Sequence, residues 1–411
     1  MRRNNLELAS FSAIHFLVDL TCVFLVTAFL LPVMPEKSAW IYCALTYNLF
    51  AFAFQLPVGA LGDVLGGPKR IAAIGCLLVA SAYIVVGLLA LPNAGVFIWE
   101  SGKENVSALF GLSQRQISLW AFVGATIAGI GNSCFHVGGG INTIHQSGGK
   151  ATRPGIFVAT GAMGVFLASK VPVNSMAIML SFGLGIVLML VSASLLFYLS
   201  RSDIAESPSD AKSRKKSDSG LSLPAFLGIA FLLITVCLRS YTGGLFSYPW
   251  KSSPLLATLF VLGVVAGKMA GGILGDRFGW ERSSVISLLV SVVLFHFAPT
   301  SPFCGIAGVL MFNMTMPITL MAIANRLGEG MSGTAFGMTT MALFLGTLPS
   351  TFEMLTGRSL SNAWMVPITI IASAIAIYLG IVLTKTTGEN ETRQSQLSDK
   401  IVTTSDGALE R

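Results

Sequence analysis

Charge is what this sequence has least of. Only 11% of its 411 residues are Asp, Glu, Lys or Arg, against 53% hydrophobic, and the mean hydropathy is +0.75. Soluble domains carry about a quarter charged residues, so an ordinary soluble protein is excluded and a membrane protein is implied. Cysteine is sparse too. Cys22, Cys43, Cys76, Cys134, Cys237 and Cys304 stand singly within or at the ends of apolar runs. No pair has metal-site spacing, and helix interiors in lipid seldom hold disulfides, so they read as small core residues. The sequence also lacks a cofactor fingerprint and a nucleophile constellation, which argues against an enzyme and against a resident cofactor.

What is abundant is apolar length. Twelve runs of about 20 residues, enough to cross a bilayer core, lie roughly at 8–31, 39–65, 70–91, 117–145, 154–171 and 174–199, then at 222–246, 254–276, 283–298, 303–326, 333–356 and 363–384. The ninth is short and calls for tilt, thinning or extension into Pro299 to Phe303. The first follows a basic start but is too long for a cleavable signal, so it is expected to be retained. A polar, Ser-rich segment divides the runs six and six. The expected organisation is an N-terminal six-helix bundle at 1–200, a cytoplasmic linker at 201–221, a C-terminal bundle at 222–384 and a disordered tail at 385–411. Residues 93–116 form a longer outer loop without a counterpart in the second half.

Basic residues set the orientation, because Lys and Arg stay preferentially on the cytoplasmic side. With both termini inside, eighteen of the 26 lie on the cytoplasmic side and six on the other, leaving Arg239 and Lys268 within the membrane. The net charge of +7 is therefore a topology signal and not a nucleic-acid footprint. The expected location is the plasma membrane, or the inner membrane of a prokaryote. Asn105-Val106-Ser107 is a formal sequon, of consequence only where the host glycosylates.

One short pattern occurs twice. Gly59-Ala60-Leu61-Gly62-Asp63 precedes Pro68-Lys69-Arg70, and Gly272-Ile273-Leu274-Gly275-Asp276-Arg277 precedes Glu281-Arg282. Small residues four apart let helices approach closely, and the acid fixes charge at the membrane surface. Two copies point to a duplicated transporter. Asp63, Asp276, Arg277, Gly59 and Gly272 are the candidate gating residues, the acids holding the cytoplasmic side closed by meeting helix ends or basic groups. Only the second copy has Arg after its acid, so Asp276 is expected to hold more strongly than Asp63.

Ionisable residues at membrane depth each cost about 2.5–3.5 kcal/mol on insertion scales and normally face a bundle interior. His15 and Asp19 share one face of the first span. His136 and Asn132 lie one turn apart on the fourth, Arg239 on the seventh, Lys268 on the eighth and Asn313 on the tenth. Spans one, four, seven and ten open the three-helix units, and equivalent helices can line one cavity. Bland readings stand beside this: Asp19 and Arg239 neutralising each other, His136 as a satisfied helix residue, Lys268 snorkelling, His296 and Glu353 interfacial. In the functional reading Asp19 is the proton-coupling acid. Burial and a neighbouring cation push a carboxyl's proton affinity in opposite directions, so movement of Arg239 relative to Asp19 would switch it. His15 relays or tunes the proton, Arg239, His136 and Lys268 bind an anion, and Asn132 and Asn313 orient it.

On these junctions the chain resembles the major facilitator superfamily across its spans. The implied fold is an all-α polytopic membrane protein with twelve transmembrane helices in two six-helix pseudo-symmetric bundles. A narrower resemblance, to the fosmidomycin-resistance group, rests on Gly129-Ile130-Gly131-Asn132-Ser133-Cys134-Phe135-His136, on Ser147-Gly148-Gly149 with Ile156-Phe157, and on His15 to Asp19. That group implies proton antiport and efflux. Val137 departs from that group's Pro, and the motifs often carried by drug antiporters of the superfamily do not support export: the fourth span has no Arg, and no Pro stands among Gly155, Gly161 and Gly164. The expectation is a monomeric secondary active transporter moving a small polar or anionic organic solute by alternating access, with protons and the lipid bilayer as its other partners. A non-transporting sensor or assembly protein is the alternative. A metal-ion carrier using His15, Asp19 and His136 is a third, although three ligands on two helices form no specific motif.

Overall fold

The computed structural model describes residues 2–90, 113–171, 175–205, 221–358 and 364–385, and every regular element among them is helical. Twelve helices result. The first six are α1 (Arg3–Leu30) and α2 (Lys37–Leu65), α3 (Pro68–Ala90), α4 (Gln114–His145), α5 (Thr152–Ala168) and α6 (Ser175–Ala205). The second six are α7 (Leu223–Gly244), α8 (Pro254–Phe278), α9 (Trp280–Phe297), α10 (Pro302–Leu327), α11 (Ser332–Thr356) and α12 (Met365–Lys385). Ten of them are long and apolar enough to cross a membrane, which makes this a multi-pass membrane protein. The outer loop up to residue 112, the linker from 206 to 220 and the tail after 385 lie outside the described residues. The helix α6 runs five residues into the segment read as linker.

Local chemistry sets the boundaries. Ser113 and Gln116 form a reciprocal capping box that starts α4. Gly66, Gly279 and Gly328 adopt φ of 68°, 95° and 87° where α2, α8 and α10 end, a region that costs glycine no steric penalty. The ninth helix gains its length at its start, from Trp280 to Arg282, and not through Pro299. Three helices are irregular inside. Wide π-type turns occupy Val26–Leu30 of α1 and Leu49–Ala53 of α2, and α10 is interrupted at Met314. There Pro317 has no N–H to give the Asn313 carbonyl.

Helix α1 starts earlier than its apolar run because its polar first turns are tied down. Glu7 is 3% exposed; it meets Lys69 Nζ at 2.8 Å and Arg3 Nε at 3.5 Å and accepts from Gln146 Nε2 at 2.6 Å. Arg153 extends the network by donating to Gln146 Oε1, the Asn4 carbonyl and Asn5 Oδ1. The cluster joins α1, α3, α4 and α5 at one end of the first bundle. Glu7→Gln keeps the shape but removes the charge that buried Lys69 meets. It is expected to cost about 3 kcal/mol, read as a lowered melting temperature of the purified protein.

Within the first bundle α3 packs between α4 and α6, and α1 against α5; within the second, α7 packs on α11 and α8 on α9 and α10. The bundles meet through α5 against α8 and α2 against α11.

Candidate functional site

The two repeated junctions meet across that interface in matching ways. Asp63 at the end of α2 accepts from the backbone N–H groups of Gly333 and Thr334, both at 2.7 Å, and from Thr334 Oγ1 at 2.7 Å. Asp276 at the end of α8 accepts from the N–H groups of Ala151 and Thr152, both at 2.9 Å, and from Thr152 Oγ1 at 2.6 Å. Each acid thus caps the first turn of a helix in the other bundle, where unpaired N–H groups and the helix dipole favour an anion. The glycines one turn earlier make the approach possible. A methyl on Gly59 would overlap the Gly333 carbonyl, and one on Gly272 would lie 2.5 Å from the Ala151 carbonyl oxygen. Arg277 takes no part in this contact; its guanidinium lies 5.4 Å from the Phe278 ring. Asp276 gains only Trp280 Nε1 at 3.0 Å, so the asymmetry expected from Arg277 has no structural basis. The end of the molecule carrying both junctions is closed.

Deeper in the first bundle, the structure brings His15, Asp19 and His136 together. His15 Nε2 lies 3.3 Å from Asp19 Oδ2, and His136 Nε2 lies 3.5 Å from Asp19 Oδ1. The far nitrogens are both anchored to backbone carbonyls: His15 Nδ1 to Phe157 O at 2.7 Å and His136 Nδ1 to Asn132 O at 2.9 Å. A carbonyl only accepts, so both Nδ1 atoms carry hydrogen and both Nε2 atoms turn to the carboxylate. Asn132 Nδ2 donates to Asp19 Oδ1 at 3.3 Å. Gly161 lets α5 pass over the pair, since a methyl there would collide with Asp19 Oδ2 and His15 Nε2.

The second bundle contributes cations. Arg239 on α7 is 6% exposed and donates to Thr315 Oγ1 at 3.4 Å. Lys268 on α8 donates to the Val158 carbonyl of α5 at 3.2 Å. Among the described residues neither has a carboxylate within 4.0 Å. The expected Asp19–Arg239 pair is therefore absent; histidines face the acid instead. Asn313 turns its amide to its own helix, donating to Val309 O at 2.8 Å, and joins neither group. Glu353 and His296 lie towards the far ends of α11 and α9, away from the triad.

Sequence reading missed the partners of the junction acids. Thr152 is the first residue of α5 and Thr334 the third of α11, each helix following a Gly-containing turn, an N-terminal signature that could have marked them. It also missed Glu7, Gln146 and Arg153, and placed Lys69 only in the basic turn after Asp63.

No family model matches the sequence, and no characterised protein matches it significantly by sequence. Solved structures do match in fold. A bacterial homologue of the iron transporter ferroportin in an outward-facing state superposes with TM-score 0.63 at 16% identity, covering 95% of this chain and 100% of that one. The Escherichia coli fucose:proton symporter gives 0.58 at 13%, covering 93% and 98%. The human organic anion transporter MFSD10 gives 0.52 at 15%, covering 92% and 99%. At these identities the likeness is one of fold: two six-helix bundles in the major facilitator arrangement.

Proposed function

We propose that the chain is a secondary active transporter of the major facilitator superfamily that carries a small anionic organic solute by alternating access, coupled to protons. The observation that carries this reading is the pair of cations, Arg239 and Lys268, held at membrane depth without a carboxylate partner among the described residues. Breaking a buried charge from its counter-ion is costly, and such cations persist where a ligand supplies the opposite charge. Asp19, flanked by His15 and His136, is the proton-coupling group, and Asn132 holds its carboxylate. Asp63 and Asp276 with Gly59 and Gly272 close the cytoplasmic end, which corresponds to an outward-facing state.

The fold neighbours support the class. One is a proton-coupled sugar symporter and one an organic anion transporter by description. The motif resemblance to the fosmidomycin-resistance group adds proton antiport and efflux. Residues 1–200 and 222–384 act as the two rocking bundles.

Removing the cation is the first test. Arg239→Gln in reconstituted vesicles, assayed with a panel of radiolabelled organic carboxylates, sulfonates and phosphate esters, is expected to weaken the transported solute's apparent affinity by a factor of about 30 or more. Unchanged affinity would remove Arg239 from the site. Orientation is tested separately: in a Cys-less background, Cys introduced at Arg115 and at Lys150 should label from opposite faces, with Lys150 cytoplasmic. Labelling of both from outside intact cells would refute the topology.

A further inference from the structure

The His15–Asp19–His136 cluster has an electrostatic feature that a solute site alone leaves unaccounted for. With hydrogen on both Nδ1 atoms, each neutral imidazole points a lone pair at a carboxylate oxygen across 3.3 and 3.5 Å. Lone pair facing anion is repulsive unless a cation lies between. A single proton, on Asp19 or on one Nε2, relieves one of the two contacts and leaves the other, and protons on both Nε2 atoms would set two positive rings against each other, edge to face at 4.5 Å between centroids. One divalent ion satisfies all three groups at once.

The geometry points to a site for a divalent transition-metal ion, bound by His15 Nε2, His136 Nε2 and one or both oxygens of Asp19. Ligands at about 2.0–2.1 Å in tetrahedral directions stand about 3.3–3.5 Å apart, which matches the two nitrogen–oxygen separations. No two of the three ligand atoms are more than 4.8 Å apart. The outer shell is that of a metal centre: each ligating imidazole donates its other N–H to a backbone carbonyl, fixing tautomer and ring plane. Asn132 donates to Asp19, and its amide oxygen, buried beside the site, has no hydrogen-bond partner. It is placed to accept from a water completing the coordination sphere. Two imidazoles and a carboxylate suit zinc, cobalt or nickel over calcium or magnesium. Metal binding here does not require that the chain carry an anion.

Co2+ titrated into the detergent-purified full chain, without solute or gradient, reads this site through visible d–d absorption. One ion per chain is expected, with a band of tetrahedral or five-coordinate intensity that Zn2+ displaces. His15→Gln, His136→Gln and Asp19→Asn should each weaken binding about 100-fold or more, and Asn132→Ala, which keeps all three ligands, about tenfold. A His145→Gln/His296→Gln double variant removes the other two histidines and should bind as the parent does. Far-UV circular dichroism and size exclusion confirm that each variant is folded. Absence of the band in the parent overturns the inference, as does its loss in the double variant or its persistence in the triad variants, which would mean an adventitious ion only. Binding without solute flux in vesicles would leave the metal site standing and remove the transport reading; flux in the presence of chelator without Co2+ binding would do the reverse.

Discussion

Asp19→Asn is expected to exchange solute across vesicle membranes while failing to accumulate it against a gradient when a pH difference is imposed. The substitution removes the titrating group at nearly constant volume and leaves an amide that can still meet Asn132 and the histidines. In the proposed reading the anion is held by Arg239 and Lys268 and not by Asp19, so equilibrium exchange should survive. Coupling needs a group whose proton occupancy changes between the two faces, and among the described residues no other carboxylate stands with His15 and His136. Exchange and gradient-driven uptake have to be measured separately on one preparation. Full accumulation by Asp19→Asn would make the acid structural and turn attention to Glu353.

The double variant Asp63→Asn/Asp276→Asn is expected to open the closed end. Each carboxylate accepts three hydrogen bonds from the first turn of a helix in the opposite bundle. Hydrogen bonds to a charged group contribute about 1.5–3 kcal/mol, and the charge–dipole attraction adds up to ~2 kcal/mol. Neutralising one acid while keeping part of its bonding should cost about 2 kcal/mol, and both about 4 kcal/mol, a shift of roughly a thousandfold in the closed-to-open ratio. Spin labels at Arg70 and Arg282, exposed residues opening α3 and α9 on the same end, report the separation of the bundles there. The two single variants should behave similarly, with Asp276 modestly the stronger through Trp280 Nε1, because both acids accept two backbone N–H groups and a threonine hydroxyl. A much larger effect from Asp276 would restore a role for Arg277.

The membrane dictated how much could be read in advance. Hydrocarbon thickness forces every backbone group of a span into one long helix, so twelve apolar runs translate into twelve helices with ends displaced by a few residues. What failed was local. The π turns at Val26–Leu30 and Leu49–Ala53 leave hydrophobicity untouched and so are invisible to a hydropathy reading. The early start of α1 depends on Glu7, an acid whose burial is explained by Lys69, 62 residues away, and by Gln146, 139 residues away.

At the site, what was legible followed helical spacing. His15 and Asp19 four apart, and Asn132 and His136 four apart, put pairs on single faces, and the fold brought the faces together. Partners across bundles were not legible. Asp63 meets Gly333 across 270 residues, through a backbone N–H that any residue but proline supplies. The Arg277 difference misled because opposite charge in a neighbouring position says nothing about where a side chain turns. The same holds for Asp19 and Arg239: an acid and a cation both at membrane depth invite pairing, yet α1 packs on α5 and α4 while Arg239 is held against Thr315 of α10.

Proton movement driven by solute tests the central claim most directly. Vesicles containing the protein and an internal pH-sensitive dye are given an outward or inward gradient of each anion in the panel, with no pH difference imposed. The account predicts that at least one anion shifts the internal pH with the parent protein and that the shift disappears with Asp19→Asn. Solute flux with no pH change, or the same pH change in Asp19→Asn, would contradict it.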